Sequence, residues 1–108
     1  MVDLGWDRSF ALEQSGDDEE ILEELLDLFR DSSASDLAKI KNGVADRDSV
    51  AVADAAHSIK GAAASLGIEG IRRVATDMEK NGREGDLEKI PDLLVKLEAL
   101  LVEVAGIK

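Results

Sequence analysis

The chain has 108 residues, with 24 acidic side chains against 13 basic ones and a formal net charge of −11. At this length one domain spanning 1–108 is expected, because a second would lack a core of its own. The absence of cysteine excludes a disulfide framework and a thiolate zinc site, and a pI near 4.4 argues against nucleic-acid binding, since phosphate backbones are held mainly by Lys and Arg.

Ala, Leu, Glu, Asp and Lys dominate, Tyr is absent, and Phe and Trp are scarce. That mix favours helices and starves strands of their aromatic residues. Asp7 is placed to cap a short helix from Arg8 to about Gln14, broken by Ser15-Gly16. Leu4, Trp6 and Phe10 go with it, as a lid on a bundle end, with Trp6 and Phe10 in the core. Asp17 and Glu20 resemble a capping box at the head of a long helix from about Asp18 to Asn42. Its apolar positions, Ile21, Leu22, Leu25, Leu26, Leu28, Phe29, Leu37, Ile40 and Val44, keep a helical period across Ser32-Ser33, where a bend is expected. Glu19, Glu20, Glu23, Glu24, Asp27 and Asp31 form the outer side. A solvated face is the reading there, with a docking site for a basic partner as the alternative.

Asp46-Arg47-Asp48 makes a turn into a helix from Ser49 to Leu66, ended by Gly67. The next helix runs from Ile68 or Glu69 to Lys80, with Ile71, Val74, Ala75 and Met78 inward and Asn81-Gly82 as its stop. Gly85-Asp86 opens the last helix, whose inner face carries Leu87, Ile90, Leu93, Leu94, Leu97, Leu100, Leu101 and Val104. Pro91 past the first turn would remove a hydrogen bond, so the first turn is irregular or regular helix begins nearer Ile90. Short connections make neighbouring helices antiparallel, and the fold class is all-α: an up-down four-helix bundle with a short extra N-terminal helix. Gly61 to Ile68 is the longest uncharged stretch in the key region, far short of the roughly 20 apolar residues of a membrane span. The N-terminus lacks the basic-then-apolar order of a secretory signal. A cytoplasmic location follows.

His57 is the single histidine. On a wheel of about 100° per residue, Val52, Ala55, Ala56, Ile59, Ala62, Ala63 and Leu66 gather about 200° away from it. His57 therefore faces solvent, on a ridge with Ala53, Asp54, Lys60, Gly61 and Ala64. An exposed ridge normally carries long polar side chains. Here Gly61 sits mid-helix one turn from the imidazole, where Gly costs about 1 kcal/mol relative to Ala, and Ala53 and Ala64 are small. Neutral imidazole is a good nucleophile. If it took a phosphoryl group, Lys60 would favour the added negative charge. Gly61 would remove the Cβ that could crowd the phosphoryl group or an incoming protein.

His57-Ser58-Ile59-Lys60-Gly61, extended by Ala56 and by Leu66-Gly67, resembles the His-x-x-Lys-Gly core of histidine-containing phosphotransfer (HPt) domains of two-component phosphorelays. The resemblance covers nearly the whole chain, including the acidic long helix, the Met78-Glu79 helix and the Leu-rich last helix. It implies that His57 is the phosphorylated residue, Lys60 its electrostatic helper and Gly61 the clearance residue. Ala53, Asp54, Ser58, Ala64 and Ser65 would then touch the partner. Ser65 departs from the Asn that many members carry there. The resemblance implies a phosphoryl group received from a receiver-domain aspartate and passed to another. Partners would be response-regulator receiver domains and a hybrid histidine kinase. No cofactor is expected on this chain, with Mg²⁺ belonging to the receiver. No Gly-rich nucleotide loop is present, so the chain reads as a carrier, not an enzyme, and the exposed ridge with full helical coverage suggests a monomer.

Three alternatives stand beside this reading: a helical interaction module without phosphotransfer, a phosphotransfer domain from a chemotaxis-type histidine kinase, and a metal site on Asp54-x-x-His57. The last lacks the inward-facing second set of ligands that di-metal bundles use. Arg72, Arg73, Lys80 and Arg83 are further candidates for orienting phosphate or an acidic partner, though solvated helix charges account for them more simply.

Overall fold

Aspartates set three helix starts. The Asp7 carboxylate accepts the Phe10 N–H at the head of α1 (Arg8–Gln14), and that of Asp48 accepts the Ala51 N–H at the head of α3 (Ser49–Ser65). Asp18 does the same for Glu20 and Ile21 at the head of α2 (Glu19–Ala45). The capping box expected on Asp17 and Glu20 does not form: Asp17 takes a left-handed φ of 61° in the turn after α1, and Asp18 is the cap, with Ile21 rather than an acid three residues on. The computed structural model describes residues 3–107. It is completed by α4 (Glu69–Arg83) and α5 (Ile90–Ala105).

Each helix packs on the next in sequence, and α2 also meets α5, which closes the four long helices into an antiparallel bundle. The molecule measures 42 × 24 × 20 Å. Its long dimension is about the length of α2, at roughly 1.5 Å per residue. Leu22, Leu26, Phe29 and Ile40 of α2 meet Val52, Ile59 and Ala63 of α3, Ile71 and Met78 of α4, and Leu97, Leu100 and Val104 of α5 in one core. Ile21 and Leu28, two of the apolar positions of the helical period, lie on the outside of α2, Leu28 with 63% of its surface exposed. α2 is a single helix through Ser32-Ser33, whose hydroxyls donate to the Phe29 and Arg30 carbonyls.

The N-terminal segment covers the α3–α4 joint. Trp6 Nε1–H donates to the Leu66 carbonyl at 3.0 Å, Asp7 N–H donates to the Gly67 carbonyl at 2.9 Å, and Trp6 pairs with Ile68 in a lone β-bridge. Gly67 makes that joint possible: it has φ +67°, and an added Cβ would stand 3.0 Å from the Phe10 ring. The lid lies over one end and leaves its own outer side open. Trp6 is accordingly half-buried, packed against the edge of the core, while Phe10 is exposed and not a core residue; Ala11 is the buried residue of α1.

Two helix limits differ from expectation. α4 does not stop at Asn81-Gly82 but runs to Arg83, because Gly82 is buried against α3 and ends nothing. Asp86 caps a turn through the Glu88 N–H, and α5 proper starts at Ile90. Pro91 then falls in the first two helical positions, where an N–H has no helical acceptor to lose. No helix among the described residues is long and apolar enough to cross a membrane.

Candidate functional site

α3 turns Val52, Ala55, Ala56, Ile59 and Ala63 into the core. The opposite side carries His57, with 62% of its side chain exposed. Asp54, Ser58, Gly61, Ala64 and Ser65 are exposed around it and Lys60 is partly so. Ser65 folds back to donate to the Ala62 carbonyl at 2.7 Å. Ala53 does not belong to this ridge. It is fully buried, because α4 approaches α3 there through Gly82: a Cβ on Gly82 would stand 2.9 Å from both the Cβ and the backbone nitrogen of Ala53.

Gly61 is the opposite case. A Cβ on Gly61 would meet nothing within 4 Å, whereas Gly43 and Gly82, also within helices, are pressed against neighbouring side chains and backbone. Nothing in the chain's own packing requires glycine at position 61. Its propensity cost of about 1 kcal/mol is uncompensated inside the fold.

α4 supplies what the wheel of α3 leaves out. Glu79, with only 15% of its side chain exposed, aims its carboxylate at the ridge. His57 Nδ1–H donates to Glu79 Oε2 at 2.9 Å and Lys60 Nζ donates to Oε1 at 2.5 Å. The bond from Lys60 holds the Glu79 carboxyl below the usual carboxylate range; burial opposes this and the bond from His57 adds to it. An ionised carboxylate only accepts, so the neutral imidazole carries its proton on Nδ1 and keeps the Nε2 lone pair. Nε2 has no hydrogen-bond partner among the described residues. Arg83, one turn beyond Glu79, donates to Asp54 at 3.0 Å and lies 3.6 Å from Glu79 Oε2. Asp54 thus engages a guanidinium. Among the described residues no group of three or more acidic or imidazole side chains is gathered as for a metal ion.

An exposed imidazole, a mostly buried carboxylate and a partly exposed ammonium group thus meet on two packed helices of a four-helix bundle. The sequence model of the Hpt domain family matches residues 24–106. The chain belongs to the Hpt domain family. Its role is phosphotransfer in two-component signalling. The fold of this Hpt domain is similar to that of histidine-containing phosphotransfer protein B (HptB) from Pseudomonas aeruginosa PAO1, with a TM-score of 0.86 at 24% identity over 93% of this chain and 87% of that one. It is also similar to the HPT domain of the Hpt sensor hybrid histidine kinase from Shewanella, with a TM-score of 0.78 at 21% identity over 96% and 91% of the two chains. Among curated proteins, none matches the chain significantly by sequence.

Of the secondary cations, Arg72 and Arg73 pair with Glu69 on the surface of this Hpt domain and Lys80 is exposed. Arg83 alone comes to the His57 cluster. Glu79 was the residue that sequence reasoning missed. Its one signal is position: it directly follows the inward Met78 on a helix whose apolar stripe it borders, so a carboxylate there sits at the edge of the α3–α4 contact.

Proposed function

We propose that this chain is a phosphorelay intermediate, taking a phosphoryl group onto His57 from a receiver-domain aspartyl phosphate and passing it to a second receiver aspartate. The observation that carries this is the exposed imidazole held through Nδ1–H by a mostly buried carboxylate, which leaves Nε2 without a partner among the described residues, with open space at Gly61 one turn along the helix. The Nε2 lone pair attacks phosphorus. The N–P bond forms as the acyl O–P bond breaks, and the receiver carboxylate leaves with the electron pair. The Nδ1 proton stays where it is. The ring becomes a phosphoimidazolium whose positive charge faces Glu79, and the same protonated ring is the better donor when the group moves on. Lys60 offsets charge on the phosphoryl oxygens. Mg²⁺ and the acidic pocket belong to the receiver.

A flat partner surface has room to dock. Leu25, Leu28 and Ser32 of α2 line a shallow depression with Ala62 and Ser65 of α3, beside the ridge of Gly61 and Ala64. Leu28 is the exposed apolar residue on its rim. Asp54 and Ser58 border the other side of His57.

Incubation with a phosphorylated receiver domain tests the reading. Wild type acquires an acid-labile, alkali-stable label and His57→Gln acquires none. Equal labelling of the two proteins removes His57 from the reaction.

A further inference from the structure

We propose that Asp54 tunes the phosphorylated state of His57 by holding the Arg83 guanidinium in reserve, to be surrendered when a phosphoryl group arrives. The inference rests on the phosphotransfer reading above.

The imidazole lies between two cations with unequal commitments. Lys60 is bound to Glu79 Oε1, an oxygen of a carboxylate that is mostly buried. Arg83 reaches from the end of α4, with Nη1 3.0 Å from Asp54 Oδ1 and Nη2 3.6 Å from Glu79 Oε2. Glu79 Oε2 is the atom that accepts the His57 Nδ1–H, so the guanidinium stands one oxygen away from the ring. Asp54 precedes His57 by three residues and shares its face of α3.

Arg83 and Asp54 are 49% and 65% exposed, and an ion pair in that setting is weak and readily exchanged. A phosphoryl group on Nε2 brings close to two negative charges and three acceptor oxygens. A guanidinium prefers that group, which it can bind through two parallel N–H donors, over a single solvated carboxylate. Arg83 therefore moves from Asp54 to the phosphoryl group when His57 is loaded, and returns when it is emptied. Asp54 acts through Arg83, as a positioning residue.

The test uses the full chain as wild type, Asp54→Asn, Arg83→Gln and the double variant. Each is phosphorylated with phosphoramidate, which gives its phosphoryl group to imidazole with loss of ammonia. Phosphorus NMR then follows the second ionisation of the phosphoryl group against pH. Freeing Arg83 in Asp54→Asn lowers that midpoint by about half a pH unit, and Arg83→Gln raises it by a similar amount. The double variant matches Arg83→Gln alone. A shift from Asp54→Asn that persists without Arg83 means direct charge repulsion and overturns the inference, as does a midpoint that ignores Arg83→Gln. No phosphohistidine signal in wild type, or a signal that survives His57→Gln, overturns the phosphotransfer reading instead.

Discussion

At the scale of single residues, the contrast between Gly61 and Gly82 separates what the fold needs from what a partner needs. A side chain at position 61 enters open space, so Gly61→Ala should raise stability by about 1 kcal/mol, read as the urea midpoint. Gly61→Leu should also fold, yet slow phosphoryl transfer from a phosphorylated receiver by at least tenfold through crowding of the docking face. Wild-type transfer kinetics in Gly61→Leu would remove the clearance role. The exposure of His57 and the open space at Gly61 were legible because the relevant physics is local: an angle on one helix and missing bulk one turn away. Glu79 and the burial of Ala53 were not, because both depend on how closely α4 lies against α3. A wheel assigns exposure by angle alone. It cannot know that Gly82 brings a second helix over Ala53 while Ala64, which the wheel places on the same side, stays open.

At the scale of elements, sequence signals located the helices well and their ends less well. The Asp7 cap and the Gly67 break are local chemistry and were readable, whereas the α2 cap falls on Asp18 rather than Asp17 and α5 starts at Ile90 rather than at Gly85-Asp86. Asn81-Gly82 carried the same local signal of a stop, but α4 continues through it. The reason is tertiary: Gly82 is where two helix backbones meet. A Cβ there would lie 2.9 Å from the Ala53 nitrogen and 3.0 Å from the Ser49 carbonyl oxygen, both backbone atoms that cannot rotate aside. Gly82→Ala should therefore destabilise the protein by about 1–3 kcal/mol despite its gain in helix propensity. It should also disturb the ridge, since Glu79 and Arg83 stand within one turn of it. Thermal unfolding, with the His57 imidazole NMR shifts as a second readout, checks both parts. A stabilised Gly82→Ala with unchanged His57 shifts would mean that the α3–α4 approach is looser than described.

At the scale of the whole molecule, the acidic excess and the site meet in the response to pH. Two carboxyls are held below their ordinary value of 4.5: Glu69 by its hydrogen bond to Arg72, at the surface, and Glu79 by that of Lys60, in the α3–α4 interface. A carboxyl lowered on folding binds its proton more weakly in the folded chain than in the unfolded one. Its contribution is therefore complete above the unfolded value and is lost as the pH falls through the folded value. Acid should loosen the α3–α4 contact and weaken the hydrogen bond from His57 Nδ1–H in the same step, because the neutral carboxyl is the poorer acceptor. Glu79→Gln, unable to ionise, should be less stable than wild type by about 1–2 kcal/mol at pH 7, from the weakened bonds to Lys60 and His57. That gap should close as the pH falls from 4.5 through the lowered Glu79 value, because the wild-type carboxyl then itself becomes neutral. Urea midpoints of the two proteins from pH 7 to pH 3 decide it. A gap that stays constant over that range would mean that the Glu79 charge does not hold α4 to α3, and that shape alone positions the carboxylate beside the imidazole.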